Sequence, residues 1–232
     1  MIQDTVKIYD TDFTGNEASD EGGAVSCGNA SAELYRCELI GNTASEAAAV
    51  GKDAYSGPTI KLQNCLVVSN TATTAGGYVI YSKGSASGGN LTVLYTTVAD
   101  NTATGGVCCA DRTMSGRNAS ITIRNSIIAG KGDGTGIYAD SGSTPTIDYN
   151  DVWNVSALYG GSASAGTGSI SSDPQFSDAS AGDYRIDVTS PCVGAGTGIG
   201  VSLDIEGTAR DGYDMGCYET QEALAGSSLT VF

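Results

Sequence analysis

The chain has 232 residues, with 11 Lys and Arg against 26 Asp and Glu, a formal net charge of −15 that makes nucleic acid and anionic membrane poor partners. It contains no His, which excludes Ser-His-Asp, Cys-His and His-metal chemistry, and no apolar run of about 18 residues offers a membrane-inserted helix. Charged residues make up only 16%, and the 33 Gly, together with Ala, Ser, Thr and Asn, suit stacked turns better than helices.

Met1-Ile-Gln-Asp-Thr-Val6 has neither the basic start nor the apolar centre of a signal peptide, so the chain is expected to enter a strand at once. Val6–Asn16 is the first of five segments that align without gaps; the others are Ala32–Asn42, Ile60–Asn70, Leu91–Asn101 and Ile121–Lys131. Their spacing of about 26 to 31 residues lies in the range of solenoid repeats. Val6, Ala32, Ile60, Leu91 and Ile121 form one apolar column. Ile8, Leu34, Leu62, Val93 and Ile123 form another two places on, so both point inward. Between them Lys7, Glu33, Lys61, Thr92 and Thr122 face water, and at a strand spacing of about 4.8 Å the first three make a ladder of alternating charge. After a bend, Phe13, Leu39, Val67, Val98 and Ile128 mark a second inward face.

Four segments end on Asn16, Asn42, Asn70 and Asn101. Amides stacked on successive coils hydrogen-bond one another and the turn backbone, so this column is read as a structural ladder rather than a row of sugar-binding groups. A further strand follows in each coil, at Gly22–Val25, Ala47–Val50, Gly76–Val79, Gly105–Cys108 and Gly136–Tyr138, often with paired glycines at the bend. A weaker sixth copy covers Thr146–Trp153, and regular coils are expected to give way near Lys131. The pattern specifies an all-β chain, a right-handed parallel β-helix (solenoid). Its coils occupy 1–145, the last coils and a C-terminal closing module 146–219, and a strand-like tail 220–232.

Phe13-Thr-Gly-Asn16 followed by Gly22-Gly-Ala-Val25 resembles the FxxN and GGA(I/L/V) pair of polymorphic outer membrane protein repeats. The C-terminal third is similar to the closing module of bacterial right-handed parallel β-helix repeat proteins of the pectin-lyase-like superfamily. The residues that carry this likeness are Asp173–Phe176, Gly182–Ile186, Ser190-Pro191, Leu203–Gly207, Arg210 and Asp214–Glu219. The resemblance implies the fold and an extracellular or cell-surface home in a secreted bacterial protein, and says little of activity. The chain departs from the pattern at Gly194–Gly200, a glycine run read as a turn and not a phosphate loop, and at Cys192 and Cys217, where small apolar residues are usual.

In an oxidising compartment Cys192 and Cys217 are the candidate disulfide, closing the end of the helix. Cys37 and Cys65 share a column with Thr11, Thr96 and Ser126 and are read as buried thiols, while Cys108 and Cys109 point to opposite faces of a strand. No four ligands converge for zinc. No cofactor is expected; the one opening is for Ca2+ at Asp148, Asp151 and Asp173, for which a turn role is the commoner one. No catalytic residue is identified, because the columns do not stack carboxylates: the place of Asp12 passes to Glu38, Leu66, Thr97 and Ile127.

The candidate ligand-binding residues are Tyr9, Tyr35 and Arg124, in an exposed column with Gln63 and Leu94. Two rings about 5 Å apart either stack on a sugar or pack on each other. Sequons begin at Asn29, Asn90, Asn118 and Asn154 and carry little weight in a chain that resembles bacterial proteins. The sequence therefore reads as a non-catalytic extracellular or cell-surface β-helix that binds a glycan or matrix partner, adhesin-like or stalk-like. The alternatives are a polysaccharide lyase or glycoside hydrolase of the pectin-lyase-like fold, and a filament-like subunit associating end to end through an uncapped first coil or the tail Ser227–Phe232.

Overall fold

A computed structural model describes residues 4–28, 30–54, 59–84, 90–112, 120–140 and 143–220. The tail Ser227–Phe232, the sequons at Asn29 and Asn118 and the side chain of Cys109 lie outside the described residues. The chain is a parallel β-solenoid built from three six-stranded parallel sheets.

The first sheet stacks Thr5–Tyr9, Ser31–Tyr35, Thr59–Gln63, Asn90–Leu94, Ser120–Arg124 and Thr146–Asp148. Its register pairs Val6 with Ala32, Ile8 with Leu34, Leu62 with Val93 and Ile123 with Ile147, so the inward columns of the repeat are the columns of the sheet. The second sheet stacks Asp12–Thr14, Glu38–Ile40, Leu66–Val68, Thr97–Ala99, Ile127–Ala129 and Asp151–Trp153. Leu39, Val67, Val98, Ile128 and Val152 are its fully buried inward column.

The third sheet runs Val25–Ser26, Ala47–Ala54, Tyr78–Gly84, Gly106–Arg112, Thr135–Ala139 and Ala157–Gly161. Here the register departs from the glycine pairs. Val50 pairs with Ile80, not Val79, because the register shifts between Tyr78 and Ile80. The parallel sheets also continue past Lys131 through a complete sixth coil, ending in the third sheet at Gly161.

Each coil turns from the first sheet to the second at one left-handed residue: Asp10, Arg36, Asn64, Tyr95, Asn125 and Tyr149 have φ of 45° to 55°. For residues with a Cβ this conformation costs roughly 1–2 kcal/mol, so neighbouring hydrogen bonds must hold it. They come from the next residue in each coil. The Cys65 amide donates to Thr96 Oγ1 (3.4 Å), the Thr96 amide to Ser126 Oγ (3.2 Å) and the Ser126 amide to Asn150 Oδ1 (3.0 Å). The small-residue column is thus a polar ladder as well as a stack. Where bends of the third sheet lie closest, only glycine fits: a Cβ on Gly105 would stand 2.1 Å from the Gly76 carbonyl oxygen.

The C-terminal module does not close an end of the solenoid; it lies along its flank. Outward residues of the second sheet, Leu66, Val68, Ala99, Ile127 and Ala129, are buried against Tyr184, Ile186, Cys192, Met215 and Cys217. The end of the solenoid is covered instead by residues 166–172. The Tyr149 amide donates to Thr167 O (2.7 Å), and Ile170 N to Asn150 O (2.8 Å).

Candidate functional site

The exposed face of the first sheet carries the strongest candidate. Strand alternation turns residues 31, 33 and 35 outward while 32 and 34 are buried, and the parallel register sets Tyr9 directly beside Tyr35. Their rings stack with centroids 4.8 Å apart and planes 11° from parallel. Tyr9 is 48% exposed, so its outer ring face is open to solvent.

The neighbouring charges organise around these rings. Lys7 Nζ lies 3.4 Å from Glu33 Oε2, and the Tyr35 hydroxyl donates to the same oxygen at 2.6 Å. The register carries the expected ladder of charge on from Glu33 to Lys61. The Lys61 ammonium turns to Tyr35, donating to the hydroxyl at 3.3 Å and lying 4.8 Å from the ring centroid. The Tyr35 hydrogen bond holds the Glu33 carboxyl below its usual range, with Lys7 and Lys61 adding to the effect. Burial, followed by the hydrogen bond to Glu33 and then its charge, raises the Tyr35 phenol well above its ordinary value. The group is a flat aromatic platform edged by two ammonium groups and a carboxylate, suited to stacking and hydrogen bonding rather than to proton transfer.

Arg124 shares the column but not the site. It stands three strands from Tyr35, roughly 14 Å at the usual strand spacing, with Gln63 and Leu94 between. Its Nε is 4.0 Å from Asp148 Oδ2.

The structure brings Asn16, Asn42, Asn70 and Asn101 into one ladder. Asn42 Oδ1 accepts from Asn16 N (3.0 Å) and Nδ2 (2.9 Å), Asn70 Oδ1 from Asn42 N (2.8 Å) and Nδ2 (2.9 Å), and Asn101 Oδ1 from Asn70 N (2.8 Å) and Nδ2 (2.9 Å). Asn42 and Asn70 are fully buried, so these amides face the coil interior and not a ligand.

Cys192 and Cys217 are free buried thiols, so the disulfide expected between them is not formed. The Cys192 thiol is committed to Asp151 Oδ2 at 3.4 Å, while Cys217 sits against Thr97, whose Oγ1 accepts its amide at 3.1 Å. Cys37, Cys65 and Cys108 are also free and buried, and the buried Cys27 thiol donates to the Gly51 carbonyl oxygen at 3.8 Å.

The three aspartates considered for Ca2+ each accept a backbone amide. Asp148 accepts from the Thr167 amide (3.0 Å), Asp151 from Ser172 (3.0 Å) and Asp173 from Gln175 (2.9 Å). Among the described residues no group of three or more Cys, Asp or Glu stands ready to hold a metal.

Four charged residues of the C-terminal motifs, Asp204, Arg210, Asp214 and Glu219, prove to be internal fasteners. Asp204 accepts from the amides of Glu206 (2.9 Å), Thr208 (2.7 Å) and Glu219 (2.9 Å). Asp214 accepts from Gly194 N (2.7 Å) and Thr220 N (2.7 Å). Arg210 pairs with Glu219 at 3.1 Å, with both side chains at most 1% exposed.

Comparison with known proteins adds no likeness. No family model, no curated protein and no solved structure matches the chain.

Proposed function

We propose that the protein is a non-catalytic binding module of an extracellular or cell-surface kind, engaging a glycan or matrix partner through the exposed face of its first sheet, as an adhesin or stalk segment does. The observation that carries this reading is the Tyr9–Tyr35 stack, open on its outer side and flanked by Lys61. An aromatic ring offers its face to the C–H side of a sugar, and the adjacent ammonium and carboxylate meet hydroxyls. A glycan-array screen of the full chain tests it. Binding to at least one array member, lost in Tyr9→Ala/Tyr35→Ala while the fold survives, supports the reading. An array signal indifferent to that double substitution sinks it. Release of unsaturated or reducing sugar from polysaccharide would replace it with the lyase or hydrolase reading.

End-to-end self-association is a second reading, favoured by the first coil. Val6 occupies an inward column yet is 54% exposed, and Ile8 and Phe13 are only partly buried. The strand Thr5–Tyr9 is the edge of its sheet, and such an edge accepts another strand. Light scattering across a concentration series is the check. A mass that stays at one chain in the native protein, as in Val6→Asp, rules this association out.

A further inference from the structure

We infer that the protein carries a second, pocketed ligand site on its third sheet, shaped for a single neutral pyranose unit. A cavity of about 250 Å³ is lined there by Glu46, Thr74, Gly76, Tyr78, Tyr81 and Lys83. It lies where the chain bends from the short strand Thr71–Ala72 into Tyr78–Gly84. Gly76 takes φ +87° at this bend, and a Cβ there would meet nothing within 4 Å, so the wall is low on that side. The Gly76 amide is held by Thr104 Oγ1 at 2.9 Å, and the Tyr78 amide by the Glu46 carbonyl at 2.7 Å, which ties the floor of the cavity to the coils on either side.

The aromatic part is unusual for an outward sheet face. Tyr78 and Tyr81 stack with centroids 5.2 Å apart, 26° from parallel, and with Ala47 and Tyr138 form an apolar cluster separate from both larger cores. No part of the C-terminal module is among its members. Tyr78 and Tyr81 share this cluster three positions apart because Val79 and Ile80 between them both enter the core. In a regular strand residues three apart point to opposite faces.

Size and charge choose the ligand. Pockets for drug-sized molecules run to about 300–1,000 Å³, so this cavity admits one ring. A carboxylate at Glu46 accepts from hydroxyls, while a tyrosine ring takes the C–H face of a sugar. A net charge of −15 opposes polyanions at long range, and Glu46 on the wall repels a uronate at close quarters. A neutral pyranose satisfies all three.

This site extends the glycan-binding reading to a different sheet, and its test separates the two. Saturation-transfer NMR on the full chain uses methyl glucoside, methyl galactoside and methyl mannoside as probes, with methyl galacturonoside as the anionic counterpart. Transfer to at least one neutral pyranoside and not to the galacturonoside is expected. Tyr78→Ala weakens it by about fivefold, the scale of one aromatic contact, and Glu46→Gln weakens it without removing the shape of the wall. Circular dichroism confirms the fold of each variant, and Glu46→Gln keeps the test valid if Tyr78→Ala fails to fold. Absence of transfer to every neutral probe, equal transfer to the galacturonoside, or unchanged transfer in a folded variant overturns the site. Array binding that depends on Tyr9 and Tyr35 but ignores Tyr78 leaves the surface reading standing and removes only this one.

Discussion

The guanidinium of Arg210 lies 4.1 Å from the centroid of the Tyr95 ring, joining the C-terminal module to the left-handed corner of a coil. Its Nη2 donates to Asn64 Oδ1 (3.1 Å) and Gly216 O (2.9 Å), while Nη1 pairs with Glu219 (3.1 Å). From the other side, the Tyr95 hydroxyl and Asn125 Nδ2 both donate to Thr197 O, the latter at 2.8 Å. Outward side chains of three successive corners are thus the sockets into which the module plugs.

Arg210→Met is expected to destabilise the protein by about 3–5 kcal/mol, because it leaves Glu219 as a buried charge without its partner. Burial already raises the Glu219 carboxyl, so the charge left behind has no solvent to replace its partner. Adding Glu219→Gln to Arg210→Met should recover part of the loss, since Gln keeps an acceptor for the Gly212 amide and brings no charge. Urea unfolding of the three proteins measures this. A loss below about 1 kcal/mol for the single variant would show that the fastener is incidental.

How far the fold is legible in the sequence depends on what buries each residue. The inward columns read directly, because a buried strand face imposes period two on Leu34, Leu62 and Val93. The covered flank is also written there. Outward positions that begin as Asp12 and Glu38 become Leu66, Thr97 and Ile127, and those that begin as Thr14 and Ile40 become Val68, Ala99 and Ala129. On sequence alone that change reads as a loss of carboxylates; in space it marks where the module docks. The left-handed corner has only a partial signature: Asp10, Asn64 and Asn125 suit it, whereas Arg36 and Tyr95 are not turn residues and depend on tertiary hydrogen bonds. The glycine pairs mislead about the third sheet, because the register shift at Tyr78 moves Ile80 into the inward column. Of the ligand candidates, Tyr9 and Tyr35 follow from register alone, whereas the turn of Lys61 toward Tyr35 is a side-chain choice no column encodes.

The asparagine ladder should show a gradient of cost along the solenoid. Asn70→Leu deprives the Asn42 amide and Nδ2 of their acceptor and removes the donors to Leu39 O and Val68 O. Buried polar groups left without partners cost about 1–3 kcal/mol each, so a loss of about 3 kcal/mol or more is expected. Asn16→Leu, at the exposed end of the ladder, should cost under about 1 kcal/mol. Thermal unfolding of both variants supplies the comparison, and equal losses at the two positions would argue against a stacked ladder.

Asp151 should make stability fall as pH rises. Its carboxyl is fully buried, and that burial pushes its pKa from 3.8 up to about 6, against the Ser172 amide and the Cys192 thiol, which pull it down. Below the unfolded value near 3.8 the group is protonated in both states and the folded chain keeps its full stability. Between that value and about 6 the unfolded chain releases the proton while the folded one retains it, so stability is lost progressively. Above about 6 the loss is complete, at most about 3 kcal/mol at 1.36 kcal/mol per unit. Asp151→Asn cannot ionise and keeps an oxygen for the Ser172 amide. The variant should therefore match the native protein near pH 3.5 and exceed it increasingly up to about pH 7. Unfolding free energies measured across that range decide the matter: parallel curves for the two proteins would mean that Asp151 ionises in the folded chain without penalty.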